Sequence, residues 1–433
     1  MIAPARRAAV DALALIDAGE LELGAAVARI RPTLEDERDR ALLLELVAGT
    51  LRMRNAIDYQ LAQRVNRPLE KLDAAVLRIL RLSAFQLLFQ SRLPAAAVIN
   101  DAVHLTRRAG MSSAAGLTNA VLRTLSRNRH RLEWPDREQL LEHLAVVHSH
   151  PRWLVERWVA RYGAAETESW LAFNNQPPPM CLAVNRMVTT RDALAAELAV
   201  AGIVTRPTAR AANGLEVVAG RALTTPAFNE GRFVVQDEAS QLIGELADAR
   251  IGDRVLDLCA SPGGKTLALA AAVGESGTVV AMDVRANRVR LLTRTLERCG
   301  VTNVAVVHGP ADESLPFKAD DFALVLVDAP CSGLGTVRRD PDIRWRRSAD
   351  DLPRFAASQR TLLSRAADLV KPAGRLIYST CSSEPEENEE VIASFLRARA
   401  DYTQERIHRT LPFRDRLEAF YGAVLRRTSV ERL

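Results

Sequence analysis

The stretch Val255–Thr266, which reads VLDLCASPGGKT, constrains the fold more than any other part of the sequence. Its apolar start predicts a short buried strand, the Ser-Pro-Gly-Gly run predicts a turn, and the apolar residues that follow predict a helix. A strand, a glycine-rich turn and a helix form the first unit of a doubly wound α/β sheet that binds nucleotides. The glycines let a ligand approach the backbone, and the helix start offers unpaired N–H groups.

The spacing of this turn excludes two common ligands. A P-loop needs a glycine five residues before Gly264, but Cys259 occupies that position, and the G-x-G-x-x-G pattern of dinucleotide sites is absent. A second apolar run ends in Asp283, about 20 residues after the turn, where an acid can bind a ribose diol. These features indicate an adenosine ligand without pyrophosphate, such as S-adenosyl-L-methionine. A generic α/β turn remains the alternative at this point.

Two later stretches carry a cysteine just beyond a predicted strand. Residues 324–336 read LVLVDAPCSGLGT and contain Asp328 and Cys331, and residues 375–383 read RLIYSTCSS and contain Cys381. Because parallel strands deliver their last residues to one edge of the sheet, we expect both thiols beside the bound ligand. Core packing is the usual role of a buried cysteine, but the Pro, Ser and Thr neighbours argue against it here.

In this order, DLCASPGGKT, DAPCSGLGT and YSTCS resemble the motifs of the RNA cytosine-C5 methyltransferases of the Nop2/Sun family. The resemblance covers nearly the whole chain and is strongest over residues 231–391. The layout of the chain is similar to that of the bacterial members that act on 16S ribosomal RNA. It implies S-adenosyl-L-methionine as cofactor, cytosine C5 as the methylated atom and a covalent cysteine–C6 adduct. It also implies an α/β Rossmann-like, seven-stranded methyltransferase domain.

The N-terminal part is predicted to be an all-α bundle of six or seven helices. Residues 1–130 hold 19 Lys and Arg against 13 Asp and Glu, a net charge of +6, while the whole chain carries +5. A basic segment suggests nucleic acid, and a solvated helical face is the alternative. The segment resembles the RNA-binding domain of the NusB antitermination factor, which implies RNA binding. We then expect linker helices over 131–165, a small α/β module over 166–235 and the methyltransferase domain over 236–433.

The chemistry requires an activated thiol, because cytosine C5 becomes nucleophilic only after a nucleophile adds to C6. DNA cytosine methyltransferases use a Pro-Cys cysteine, which would indicate Cys331. In the RNA family resembled here the cysteine of the Thr-Cys-Ser motif attacks, which implies that Cys381 is the nucleophile and that Cys331 assists breakdown of the adduct. Ser383 and Glu386 have the spacing of a capping box, which predicts a helix start just after Cys381.

The resemblance implies further site residues. Asp328 is expected near the N3/N4 edge of cytosine and near the cofactor, although a strand-end Asp can simply cap the next turn. Lys265 is one of only four lysines against 54 arginines, and we assign it to catalysis and to cofactor binding, with chance placement as the alternative. Asp312 is expected near the adenine, with a simple turn as the alternative. The complete predicted cofactor site is Cys259, Ala260, Ser261, Pro262, Gly263, Gly264, Lys265, Asp283, Asp312 and Asp328.

The segment RRDPDIRWRR, residues 338–347, follows the Cys331 loop. Arginines around Trp345 predict phosphate contacts and base stacking with RNA, and a solvated loop is the alternative. Because the target base must leave its stack to be methylated, we expect single-stranded or distorted 16S ribosomal RNA as substrate. Two positions depart from the family pattern, since Ser261 replaces an alanine and Asp340 stands where a histidine is common.

Three alternative functions differ in what they require of the sequence. Methylation of transfer RNA would need the same chemistry. A catalytically idle RNA-binding assembly factor would not need the two cysteines. An NAD enzyme would need the G-x-G-x-x-G pattern, which is missing. The five cysteines form no metal-ligand pairs, and the sequence shows neither a signal peptide nor an apolar run of about 18 residues. We therefore expect a cytoplasmic monomer that binds no membrane and no metal.

Overall fold

The computed structural model describes residues 2–90, 93–309 and 315–428. The chain forms two compact units. The helical unit combines residues 1–176 with 337–348, and the sheet unit combines 177–336 with 349–433. Within the described ranges, no helix has both the length and the apolar character that a bilayer-spanning helix requires.

The helical unit begins with seven α-helices within residues 2–128, as many as the sequence predicted. Side-chain caps set two of the starts, because Asp36 accepts the N–H of Arg38 and Asp73 accepts that of Ala75. The α-helices described within residues 2–90 and 93–176 are α1 (Pro4–Asp17), α2 (Leu23–Ile30), α3 (Glu37–Arg52), α4 (Arg54–Ala62), α5 (Ala74–Phe89), α6 (Ala95–Arg108), α7 (Ala115–Asn128), α8 (Leu140–Val147), α9 (Arg152–Tyr162) and α10 (Ala164–Asn174).

Trp158 of α9 and Trp170 of α10 belong to the core of the helical unit. The rings of Trp158 and Trp170 stack with centroids 4.1 Å apart, and both side chains are buried. Gly163 adopts φ +86° and separates the two helices.

The sheet unit starts with a small antiparallel sheet of strand order β2-β3-β1-β4. Its strands are β1 (Met180–Val184), β2 (Val204–Pro207), β3 (Gly214–Ala219) and β4 (Phe233–Val235). Helix α11 (Arg191–Val200), capped by the Thr190 hydroxyl, and helix α12 (Pro226–Asn229) accompany it. The residues of β2 are mostly exposed.

The large sheet has seven strands among the described residues, in the order β10-β11-β9-β8-β5-β6-β7, which confirms the predicted fold class. The strands are β5 (Arg254–Leu258), β6 (Thr278–Asp283), β7 (Val304–His308), β8 (Phe322–Asp328), β9 (Val370–Thr380), β10 (Tyr402–Thr410) and β11 (Phe420–Arg427). The remaining helices are α13 (Glu238–Leu246), α14 (Gly264–Val273), α15 (Ala286–Arg298), α16 (Ile343–Arg346), α17 (Asp351–Ala367), α18 (Glu389–Ala398) and α19 (Pro412–Asp415).

Strands β9, β8, β5, β6 and β7 are parallel to one another. Strand β11 runs antiparallel to them, and β10, which is antiparallel to β11, has their direction again. Alternate side chains of each strand reach opposite faces, so Leu256 packs in the core with α17 and α18 while Val255 packs with α13 and α14. The strand order reverses between β5 and β8. Open α/β sheets bind ligands at the carboxyl ends of the strands at such a point.

The segment 337–348, which includes α16, belongs to the helical unit. Arg344 is fully buried there, and its guanidinium donates to the carbonyl of Ser149 (2.9 Å) and to Asn175 Oδ1 (3.1 Å). The indole of Trp345 donates to the carbonyl of Leu51 (2.6 Å). The predicted phosphate contact of Arg344 is therefore wrong, because protein acceptors occupy its buried donors. The predicted base stacking on Trp345 stays a prediction.

Candidate active site

A cavity of about 250 Å³ opens beyond the carboxyl ends of β5 and β8. Seven of the predicted cofactor residues form part of its wall, and six residues that the sequence did not indicate complete it. The predicted residues are Cys259, Ala260, Ser261, Pro262, Gly264, Lys265 and Asp328, and the others are Val235, Gln236, Asp237, Ser240, Asp257 and Phe420.

The backbone of the glycine-rich turn is shaped around this cavity. Cys259 adopts φ +62°, which is uncommon for a residue other than glycine and occurs often at functional sites. Gly263 adopts φ +109° and precedes the first residue of α14. At Gly264, a Cβ atom would come within 2.8 Å of the Gln236 side chain. The turn therefore presents bare backbone and the N-terminus of α14 to a ligand.

Two buried polar atoms of this site, Asp257 Oδ1 and Ser261 Oγ, have no hydrogen-bond partner among the described residues. The other carboxylate oxygen of Asp257 accepts the Thr266 hydroxyl at 2.6 Å, and burial raises the pKa of Asp257 to about 7. Buried polar atoms without partners are rare, and a bound ligand would satisfy them. The residues present thus fit a small polar molecule.

The carboxylate of Asp283 lies where the sequence placed it, at the end of β6. It is buried, and its two oxygens accept the N–H groups of Ser261 (3.3 Å) and Arg285 (3.1 Å). Asp283 is thus fixed directly beside the glycine-rich turn. Asp312 lies outside the described residues, so its predicted place near the adenine stays a prediction.

Lys265 and Asp328 form an ion pair on the cavity wall. The Lys265 Nζ donates to Asp328 Oδ2 at 2.7 Å, and the Ser379 hydroxyl donates to Asp328 Oδ1 at 2.8 Å. Burial disfavours the ammonium, but the Asp328 carboxylate outweighs this effect and raises the pKa of Lys265. The Phe420 ring centroid lies 5.7 Å from the same Nζ.

The two predicted cysteines meet in the structure. Their sulfurs are 3.2 Å apart, and the N–H of Gly335 donates to the carbonyl of Cys381 at 3.0 Å, which ties the two loops together. The contact with Cys381, followed by burial, raises the pKa of Cys331 well above its ordinary value. The predicted helix start just after Cys381 is wrong, because α18 begins only at Glu389, after a short 3₁₀ turn.

Sequence reasoning missed Gln236, Asp257 and Phe420. Asp257 lies inside the motif itself, and an acid within an otherwise apolar strand was the available signal. Gln236 and Phe420 come from distant elements, and no local pattern connects them with the glycine-rich turn. Phe420 reaches the site because β11 inserts next to β9 in the sheet.

A second feature is a groove of about 840 Å³ between α6 and α7 in the helical unit. The arginines 107, 123 and 127 line it with exposed side chains, together with His104. Asp101 is the one acid within α6 and α7, and it is buried in an ion pair with Arg6 (2.6 Å). The groove therefore presents positive charge without a competing carboxylate on either helix.

Comparisons with known proteins agree with this architecture. Residues 246–425 match the 16S rRNA methyltransferase RsmB/F family, 3–127 the NusB family, and 150–224 the ferredoxin-like domain of RsmF/B-like methyltransferases. The ribosomal RNA small subunit methyltransferase B of Pseudomonas putida is 37% identical and covers 90% of this chain and 88% of its own. The probable ribosomal RNA small subunit methyltransferase B of Bacillus subtilis is 34% identical, and the match covers 84% of this chain and 82% of that protein. The crystal structure of PH0851 is similar over 98% of this chain and 99% of its own, with 27% identity and a TM-score of 0.83.

Proposed function

Because this chain belongs to the 16S rRNA methyltransferase RsmB/F family, we propose that it methylates C5 of a cytosine in 16S ribosomal RNA through a covalent bond between Cys381 and C6. Ribosomal RNA methylation with S-adenosyl-L-methionine follows from the family. The choice of the C5 atom and the covalent route are our proposal. The observation that carries both is the pair of thiols, 3.2 Å apart, at the carboxyl edge of the sheet.

We assign the attack to Cys381 because the resemblance to the Nop2/Sun family gives that role to the cysteine of the Thr-Cys-Ser motif. The attacking species is a thiolate. The Cys331 sulfur lies 3.2 Å from Cys381 on a neighbouring loop, close enough to act on the same adduct in the second step.

The reaction divides between these two cysteines. The cofactor supplies a methyl group on a sulfonium, which is electrophilic. Cys381 Sγ forms a bond to C6, and the displaced electron pair makes C5 nucleophilic. After C5 is methylated, Cys331 as a thiolate accepts the C5 proton, and the C5–H electron pair re-forms the C5–C6 double bond. The C6–S bond then breaks and Cys381 leaves as a thiolate. Cys331 assists this elimination from the neighbouring loop.

The Lys265–Asp328 pair suits recognition of a cytosine. The exocyclic N4 amino group is a donor, and a carboxylate is a strong acceptor for it. Lys265 neutralises Asp328 and fixes its orientation, so the carboxylate is held in place before the base arrives. The cofactor would be held by the glycine-rich turn, by Asp283 at its ribose and by the free oxygens of Asp257 and Ser261.

The α6–α7 groove is our proposed anchor for the backbone of the RNA, in agreement with the RNA-binding role expected for residues 1–130. Phosphate contacts dominate the affinity of such complexes, and arginine side chains are well suited to them. Arg107, Arg123 and Arg127 are exposed along this groove and supply the charge.

Bisulfite sequencing of 16S ribosomal RNA from a deletion strain tests the proposed function. One modified cytosine should disappear, return with the wild-type gene and stay absent with Cys381→Ala. Cys299→Ala, which alters a buried free cysteine of another cluster, is the matched control and should restore it. A full set of modified cytosines in the deletion strain would contradict the proposal. A catalytically idle assembly factor would leave all variants alike.

A further inference from the structure

The buried carboxylate of Glu387 lies between the two loops that carry the cysteines. Its Oε1 accepts the backbone N–H of Ser332 at 2.8 Å and the side-chain amide of Gln359 at 3.0 Å. Its Oε2 accepts the hydroxyl of Ser332 at 2.5 Å and the hydroxyl of Ser382. All four residues are at most 1% exposed.

The two serines are the immediate neighbours of the reacting groups, because Ser332 follows Cys331 and Ser382 follows Cys381. One carboxylate oxygen is therefore a shared acceptor for both cysteine loops. The next residue, Asn388, fastens the Cys381 turn further, since its amide donates to the carbonyl of Ser382 at 2.9 Å.

The hydrogen bonds at position 387 require a carboxylate. Four donors converge on the side chain of Glu387, and only an ionised carboxylate is an acceptor at both of its oxygens. A glutamine of the same shape would direct an NH₂ group at the two hydroxyls. Among the described residues, Glu387 has these donors but no ion-pair partner. A buried charge held in this way is costly, and such groups cluster at functional sites.

We propose that Glu387 is a positioning residue that holds the Cys331 and Cys381 loops together, so that both thiols can act on the same cytosine. This inference rests on the proposed function, in which the two cysteines act in succession. It adds a residue that touches neither substrate nor cofactor and that acts through Ser332 and Ser382.

The charge of Glu387 has a second effect, on Cys331. Cys331 faces Cys381, Glu387 and Tyr378, and the Glu387 charge adds to the contact with Cys381 and to burial in raising the pKa of the Cys331 thiol. Glu387→Gln should therefore move the pH profile of adduct breakdown to lower pH. Ser382→Ala keeps the charge and should leave the profile where it is.

The distance between the thiols can be measured without any methylation assay. Diamide takes up the two hydrogens of adjacent thiols and leaves a disulfide, so the rate of Cys331–Cys381 cross-linking reports how often the sulfurs meet. Ser332→Ala and Ser382→Ala each release one loop without changing the charge. We expect cross-linking, measured by mass spectrometry, to slow by about tenfold or more in each variant, because each loses one hydrogen bond to a charged group.

Glu390→Gln is the matched control, because it removes an exposed carboxylate three residues further along the chain. It should leave cross-linking, kcat and the pH profile unchanged, whereas Glu387→Gln and Ser382→Ala should lower kcat with little change in the KM for RNA.

Unchanged cross-linking in both serine variants would overturn the inference, and so would a lower melting temperature as the only effect of Glu387→Gln. The positioning role of Glu387 and the covalent mechanism can be disproved independently. If the serine variants slow cross-linking but the wild-type protein never forms an RNA adduct, the positioning role stands and the covalent mechanism falls.

Discussion

The thiols of Cys331 and Cys381 lie 3.2 Å apart, although 50 residues separate them in the chain. Two thiols at one site allow bond formation and bond breakage to be assigned to different groups. We predict that Cys381→Ala loses methylation and forms no covalent complex with RNA. Cys331→Ala should still attack and transfer the methyl group, and then stall as a covalent protein–RNA complex.

A denaturing gel of each variant with RNA and cofactor separates these outcomes, with Cys299→Ala as a control that should turn over normally. An adduct that accumulates with Cys381→Ala and is absent with Cys331→Ala would exchange the two roles.

Asp283→Ala should weaken cofactor binding while leaving RNA binding nearly intact. Asp283 is buried beside Ser261 at the end of β6, and we propose that it binds the ribose of the cofactor there. The loss of a charge-assisted hydrogen bond costs roughly 1.5–3 kcal/mol, which is about 10- to 150-fold in affinity. Calorimetry with S-adenosylhomocysteine measures the effect, and Glu275→Ala, an exposed acid of the same unit, is the control. Equal affinities for both variants would remove Asp283 from the site.

Asp257→Asn should stabilise the sheet unit, and the gain should depend on pH. The pKa of Asp257 is raised in the folded protein from an ordinary value of 3.8 to about 7. Between pH 4 and pH 7 the Asp257 carboxyl ionises only in the unfolded chain. Its contribution to the free energy of unfolding is therefore largest below pH 4 and decreases as the pH rises to 7. The full difference is about 4 kcal/mol.

Melting curves of Asp257→Asn and wild type at pH 5 and pH 8 test this, and the advantage of the variant should be larger at pH 8. The exposed carboxylate variant Glu275→Gln should show no such trend. A constant difference between pH 5 and pH 8 would mean that Asp257 is ionised throughout.

Arg344→Lys should destabilise the helical unit although it keeps the charge. The guanidinium donates to several acceptors at once, including the carbonyls of Ser149 and Val337, and an ammonium cannot reach them from one point. Leaving buried carbonyls without donors costs about 3 kcal/mol in unfolding free energy. Calorimetry should show a lower melting transition, and Arg38→Lys, which changes an exposed arginine, should not.

The α6–α7 groove should provide a large part of the RNA affinity. Replacing Arg107, Arg123 and Arg127 with glutamine removes three exposed charges from it. The slope of log affinity against log salt should become shallower by about 2, since fewer counterions are released. The control set, Arg29, Arg38 and Arg67 to glutamine, removes the same charge from other exposed positions and should preserve the slope. An equal loss of RNA affinity in both sets of variants would mean that the affinity depends on net charge and not on the α6–α7 groove.

Local sequence pattern was sufficient wherever neighbours in the chain determine the structure. The strands that deliver Asp283, Asp328 and Cys381 were predicted within a few residues, because buried parallel strands are short apolar runs. Strand β10 was not predicted, because it lies at the sheet edge and carries exposed polar residues. Its register against β11 also shifts between Gln404 and Arg406.

Long-range partners explain what the sequence could not indicate. An arginine that contacts phosphate and an arginine buried against carbonyls look identical in a sequence, so Arg344 was misassigned. Glu387 stands in a run of glutamates, and nothing local distinguishes it from its exposed neighbour Glu390. Its role depends on Ser332, which belongs to a different loop.

The helical unit is built from two separate stretches of chain, and this determines the order in which it can be completed during synthesis. A ribosome that has finished residue 176 must add 160 further residues before residue 337 appears. At about 5–20 residues per second, this takes roughly 8–30 s. Until then Ser149 and Leu51 lack the partners that Arg344 and Trp345 bring. The N-terminal helices can therefore collapse early but reach their final packing only after most of the large sheet has been translated.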